Sequence, residues 1–156
     1  MTVTARDLSA VPLLAALDAA DLERLAEAAT RRTLRDGEAL FESGEPATAV
    51  FALLRGRLVL RATSDARSTI VMTAEERELL GWTALAERAR WLTTGRAAGG
   101  VEVIVIPVEA VLDVVAAGGP EASALVQRLF ALAASHLAAT QSQLLGRGGE
   151  GVITGG

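Results

Sequence analysis

Few side chains in this sequence are equipped for chemistry. His136 is the only histidine and there is no cysteine. A metal site would therefore need carboxylates at ligand spacing from that one imidazole, and none stands at i, i+4 from it. Glu75, Glu76 and Glu78 crowd three carboxylates into a short polar stretch. Such a cluster could hold a cation or supply an acid–base pair, but no base or nucleophile complements it, and it reads as a solvated charge run. Ser64, Ser68 and Ser135 lack the His and Asp partners of a hydrolase triad. The expectation is no catalytic residue, no metal and no cofactor: the protein is not an enzyme.

What remains is aromatic and basic. Trp82 and Trp91 are the only tryptophans, beside three phenylalanines. An indole face either stacks on a planar or apolar ligand, as an aromatic clamp, or fills a core. Arg88, Arg90 and Arg96 could meet a phosphate, although arginine on a polar face is ordinary. The net charge is -4, with the basic residues scattered among acids, which argues against direct nucleic-acid or anionic-membrane binding. The glycine pairs match neither the dinucleotide fingerprint nor the phosphate loop, which needs a lysine.

The elements that must position these residues follow from patterning. The 156 residues, 51% apolar and 22% charged, suit one folded domain. Val11, Leu14, Leu17, Leu22 and Leu25 recur at helical spacing, with Asp18 and Asp21 placed to start the second of two short helices. From Thr33 to Leu60 the apolar runs shorten and are punctuated by Gly37, Gly44 with Pro46, and Gly56, the signature of short strands and tight turns. Thr69–Met72 and Val101–Ile106 are further β-branched runs, and Glu75–Arg90 between them is helix-prone. Val108–Ala117 predicts a short helix ended by Gly118 and Gly119.

Pro120 favours a helix start, and no Gly or Pro interrupts the stretch to Leu145. One stripe on that helix, Leu125, Leu129 and Leu132, can cover the strands. A second, Val126, Phe130, Ala133, Leu137, Thr140 and Leu144, alternates spacings of four and three and can meet a partner helix. Residues 146–156 are glycine-rich and read as a flexible tail. No apolar run approaches the roughly 20 residues of a spanning helix, and no basic run at the N-terminus marks a secretory signal. A cytoplasmic location fits.

The run Leu34-Arg35-Asp36-Gly37 through Gly44-Glu45-Pro46, and on to Arg55-Gly56-Arg57-Leu58, resembles the turn glycines of the cyclic-nucleotide-binding domain, of the Crp/Fnr type. Thr93-Thr94-Gly95-Arg96-Ala97 through Val103–Pro107 is similar to the strand pair after that family's phosphate-binding cassette. The resemblance covers about Leu8 to Leu145. It implies a mainly β fold with helices: a β-roll, or jelly roll, of about eight strands over 31–107, short N-terminal helices, and a long C-terminal helix over 120–145 that dimerises. The helix-turn-helix that follows in the sensor-regulators is not expected here.

In the cassette that family carries Gly-Glu, then an Arg followed by Ser or Thr nine residues after the Glu. The carboxylate accepts from the ribose, while the guanidinium and helix-end amides neutralise the phosphate. This chain reads Gly81-Trp82-Thr83-Ala84-Leu85 and then Trp91-Leu92-Thr93, so the resemblance puts Trp82 at the Glu position and Trp91 at the Arg position. Leaving ribose and phosphate unpaired would cost about 1 to 3 kcal/mol per neutral group, and more for the charge. The resulting expectation is a regulatory or sensor module. It forms a homodimer, does not bind cyclic AMP or GMP in the usual way, and acts through a protein partner, with the eight cassette residues as candidate pocket for a small molecule of unknown identity. The alternatives are a scaffold with no small ligand, or a cyclic AMP binder using backbone amides and Thr83 or Thr93.

Overall fold

The computed structural model describes residues 2–86 and 88–150. Two short helices open it, α1 (Ala5–Ser9) and α2 (Ala19–Ala28). Thr4 and Asp7 form a reciprocal capping box on α1, and Asp18 caps α2 by accepting from the Asp21 amide, which satisfies amides that the first turn leaves without partners. Six strands follow: β1 (Thr30–Leu34), β2 (Ala39–Phe41), β3 (Ala49–Ser64), β4 (Arg67–Ala74), β5 (Leu79–Leu80) and β6 (Thr94–Pro107). All pairings are antiparallel, in the order β1-β6-β3-β4, with β2 on β6 and β5 on β3. Helix α3 (Val108–Ala116) and the long α4 (Pro120–Glu150) close the chain.

The β-roll is built from fewer and longer strands than the eight expected. β3 and β6 pair from Ala49–Pro107 to Arg61–Thr94 with register shifts around Arg55, so each long bent strand serves both halves of the roll. Gly56, expected at a chain reversal, lies inside β3. Its φ is 87°, and a β-carbon there would collide with the Gly100 carbonyl oxygen. An irregularity that draws two backbones together needs glycine as much as a turn does.

Alternation along the long strands separates two cores. Val50, Ala52, Ile104 and Ile106 face the helices and pack with Leu8, Leu14, Leu25, Val111 and Leu125. Phe51, Leu53, Val101 and Val103 face the roll interior with Leu34, Phe41, Leu58 and Trp91. Each large apolar side chain so buried contributes about 1.5–3 kcal/mol. No polar or charged residue is buried among the described residues.

Arg31 on β1 ties the helical layer to the sheet. Its guanidinium meets Asp7 at 2.8 Å and also Glu102 of β6. Burial alone would raise the Asp7 carboxyl. The hydrogen bonds from Thr4 and Arg31 outweigh it and hold the group below the usual carboxylate range.

Two expectations about helices change. Glu75–Arg90 is not mainly helical: Leu79 and Leu80 pair with Ala52 and Phe51 of β3, leaving among its described residues a four-residue 3₁₀ turn, Trp82–Leu85. Burial of two leucines on the sheet outweighs the helix propensity of their polar neighbours. Helix α4 runs to Glu150, past Leu145 and into the glycines expected to begin the tail. Glycine disfavours a helix by only about 1 kcal/mol relative to alanine and does not obstruct it. Residues 151–156 lie outside the described residues. The segment Pro120–Ala139 is also long and apolar enough to cross a membrane by length and composition alone, at a mean hydropathy of 1.2 with 11% of the window buried. Its many alanines raise the mean without an unbroken apolar run, and Glu121 and Arg128 fall within it.

Candidate functional site

The cassette begins at Gly81, which has a left-handed φ of 76° and caps the 3₁₀ turn. The β-carbon of any other residue here would lie 2.8 Å from Cη2 of Trp91 and 3.2 Å from the Ala49 carbonyl oxygen. Backbone hand and close approach thus both demand glycine at this point. After the turn the chain runs antiparallel to the segment around Pro46, which bridges Arg90. Ala47 N donates to Ala89 O at 2.9 Å, Trp91 N to Glu45 O at 2.9 Å, and Gly44 N to Trp91 O at 2.8 Å. These three bonds fasten the cassette to the β2–β3 connection.

Trp91 enters the interior of the roll. Its ring stacks on Phe41 at a centroid separation of 4.4 Å and meets Phe51 at 5.8 Å, while Phe41 and Phe51 stack at 5.7 Å. Three of the five aromatic residues form one cluster, in the offset and tilted geometries that ring quadrupoles favour. Gly95 makes room for it, since a β-carbon there would lie 2.8 Å from Cζ of Phe41. Trp91 is 6% exposed, so in this conformation its indole offers no open face to a ligand.

Trp82 goes elsewhere. It is half-buried against the helical-layer core, with its ring 5.8 Å from that of His136 on α4 at an interplanar angle of 46°. The two indoles therefore belong to different cores and do not form a clamp. Of the other candidate residues, Ala84 is buried in the roll core and Leu85 packs against both cores. Thr83 is exposed, Thr93 is half-buried, and Leu92 is 82% exposed directly beside the buried Trp91.

Four of the neighbouring ionic groups, Arg90, Arg96, Glu75 and Glu76, have structural partners. Arg90 donates to Gly44 O at 2.8 Å, and Arg96 donates to Gly37 O and to Glu42. Glu75 pairs with Arg57 at 3.1 Å, and Glu76 accepts from the Gly56 amide. Arg88 is exposed at a positive φ of 53°. Among the described residues no group of three His, Asp or Glu side chains is placed to hold a metal ion.

On α4, Leu125 and Leu129 are buried against the body and Leu132 is half-buried. In the second stripe Val126 is 43%, Phe130 76% and Leu137 60% exposed, and Ala133 is half-buried. The side chains of Thr140 and Leu144 lie outside the described residues. Sequence reasoning missed Phe41 and Phe51 as ring partners of Trp91, Gly95 as the space beneath them, and His136 as the neighbour of Trp82. The signals available were inward strand positions for the phenylalanines and a helix face shared with the leucines for His136.

The architecture has many counterparts. The sensor domain of the transcriptional regulator DNR from Pseudomonas aeruginosa superposes with a TM-score of 0.72 at 21% identity, covering 81% of this chain and 91% of that one. The N-terminal domain of a transcriptional regulator from Streptomyces coelicolor A3(2) gives 0.66 at 25% identity, with coverages of 83% and 92%. The regulatory domain of Toxoplasma gondii PKA, crystallised with cAMP, gives 0.68 at 17% identity over 80% of this chain and 47% of that one. None of the curated proteins compared matches the sequence. Residues 31–117 match the cyclic nucleotide-binding domain, more than half of the chain and all of the roll but its first residue, and no catalytic family is indicated: this protein belongs to the cyclic nucleotide-binding domain family, a regulatory one.

Proposed function

We propose that the chain is a non-catalytic regulatory module that does not bind cyclic AMP or cyclic GMP in the usual way. It forms a homodimer through α4 and passes its signal to a protein partner in the cytoplasm. The observation that carries this reading is the position of Trp91. The resemblance gives that residue the place of the phosphate-binding arginine, and its indole is packed against Phe41 and Phe51 inside the roll. No buried polar side chain remains there to receive a ribose or a phosphate, and desolvating an anion without partners is prohibitive. Of the two forms the reading can take, the ring cluster favours the adaptor, whose roll is filled by its own side chains, over the sensor of another small ligand. The second stripe of α4 supports the dimer, since Val126, Phe130 and Leu137 are an apolar row turned away from the body.

The test is titration of the full chain with cyclic AMP, cyclic GMP and cyclic dinucleotides, followed by tryptophan emission and by the unfolding midpoint. Only a ligand that prefers the folded state raises that midpoint. Neither signal is expected to change. A saturable response to cyclic AMP would overturn the reading and restore an ordinary nucleotide sensor.

A further inference from the structure

A continuous line of contacts runs from the roll interior to α4. Phe41 and Phe51 hold Trp91, and the far edge of the Trp91 ring rests on Gly81, closely enough to forbid a β-carbon. Gly81 begins the 3₁₀ turn whose first residue, Trp82, meets His136 on α4. Leu85, at the end of the same turn, touches both cores. The cassette therefore cannot move away from the roll without withdrawing Trp91 or shifting the ring that faces α4. Both tryptophans of the chain lie on this line, one at each end of the cassette.

We infer that Trp91 is a tethered ligand. Its indole takes the place a diffusible ligand would occupy, keeps the cassette shut, and through Gly81 and Trp82 holds α4 in one arrangement. A free ligand would fill the site only in proportion to its concentration. An indole carried on the chain is always at the site, so the module stays in its closed state without an effector. This rests on the function proposed above and adds how the site is regulated: the bound state is written into the sequence.

A contiguous contact path does not by itself demonstrate coupling, so the test must read α4 when the roll is changed. Hydrogen exchange would be followed along the full chain for wild type, Trp91→Gly, Trp82→Ala and the double variant, with and without free indole. Trp91→Gly should speed exchange in the 3₁₀ turn and in α4 by a factor within the usual coupling range of about 5 to 150. Indole added to Trp91→Gly should restore protection in α4 as well as raise the unfolding midpoint. Trp82→Ala should loosen α4 while Trp91 emission stays that of a buried ring, and the double variant should loosen α4 no further than Trp91→Gly alone.

Indole that raises the midpoint of Trp91→Gly but leaves α4 exchange unchanged would make Trp91 mere core and overturn the inference. Additive effects of the two substitutions on α4 would overturn it as well. If Trp91→Gly does not fold, Trp91→Phe, which leaves a partly filled site, is read in the same way. Failure here is separate from failure of the proposed function, because cyclic nucleotide binding by wild type is measured without reference to α4.

Discussion

Inside the roll, Phe41, Phe51 and Trp91 bury one another, whereas on α4 Val126, Phe130 and Leu137 face solvent. Both regions are apolar, yet one has found its partners within the described chain and the other has not. The difference locates what the molecule leaves open. A site filled by its own side chains needs no small ligand to be stable, while an exposed apolar row retains a driving force to associate. Under the proposed function, the helix and not the interior is the surface through which the protein would act.

The strongest attack on the comparison is removal of the indole. Trp91→Ala should lower unfolding stability by about 3–5 kcal/mol, the effect of emptying a large aromatic site in a core that cannot collapse around it. Urea unfolding measures this directly. A loss below about 1 kcal/mol would mean that the roll is not closed by Trp91, and the contrast with α4 would vanish.

The opposite side is tested by charging the helix. Phe130→Glu with Leu137→Glu should weaken self-association at least about thirtyfold, the loss expected when a 2 kcal/mol hot spot is removed. The stability of the isolated protomer should stay within about 0.5 kcal/mol, since these are surface positions in a single copy. Sedimentation over a range of concentrations reads the first and thermal unfolding the second. An unchanged mass would separate the exposed stripe from any role in pairing.

A finer comparison uses two glycines that share a backbone conformation but not an environment. Gly81 and Gly44 have φ of 76° and 89°, but a β-carbon at Gly44 would meet nothing within 4 Å whereas at Gly81 it would strike the Trp91 ring. Alanine at either should carry the left-handed strain of about 1–2 kcal/mol. Gly81→Ala should lose about 1 kcal/mol or more beyond that from overpacking. Equal losses would show that the indole yields easily, and that the roll is less rigidly closed than its ring distances indicate.

Much of the fold was legible because its signals are local. Strands buried on both faces read as unbroken apolar runs, as in Val103–Ile106, and Asp18 marked the start of α2 by capping chemistry. What was not legible depends on contacts distant in sequence. Gly56 looked like a turn because a kink inside a strand and a turn both favour positive φ. The stretch Glu75–Arg90 looked helical because nothing local says that Leu79 and Leu80 will be taken up by β3. At the site, the two tryptophans were conspicuous as residue types, but their separation into different cores was not. It follows from Phe41 and Phe51 reaching Trp91 across the roll while Trp82 turns toward α4. The exposed stripe of α4 was readable because helical periodicity alone assigns its faces.

The smallest expected effect concerns the ionic joint between the helical layer and the sheet, where Arg31 adds charge pairing to the apolar contact between them. Asp7 is held below its usual pKa by Thr4 and Arg31 against the opposing effect of burial. A depressed carboxyl stabilises the fold above its unfolded value, near pH 4, and loses that contribution as pH falls through the lower folded value. Asp7→Asn should therefore cost no more than about 1 kcal/mol at neutral pH, as expected for a partly exposed pair. The gap between variant and wild type should close as the solution is acidified below about pH 4. Hydrogen exchange in α1 should respond before exchange at β3 and β6, because the roll interior contains no buried charged group to titrate. A gap that widened on acidification would make burial, not the pairing with Thr4 and Arg31, the dominant influence on Asp7.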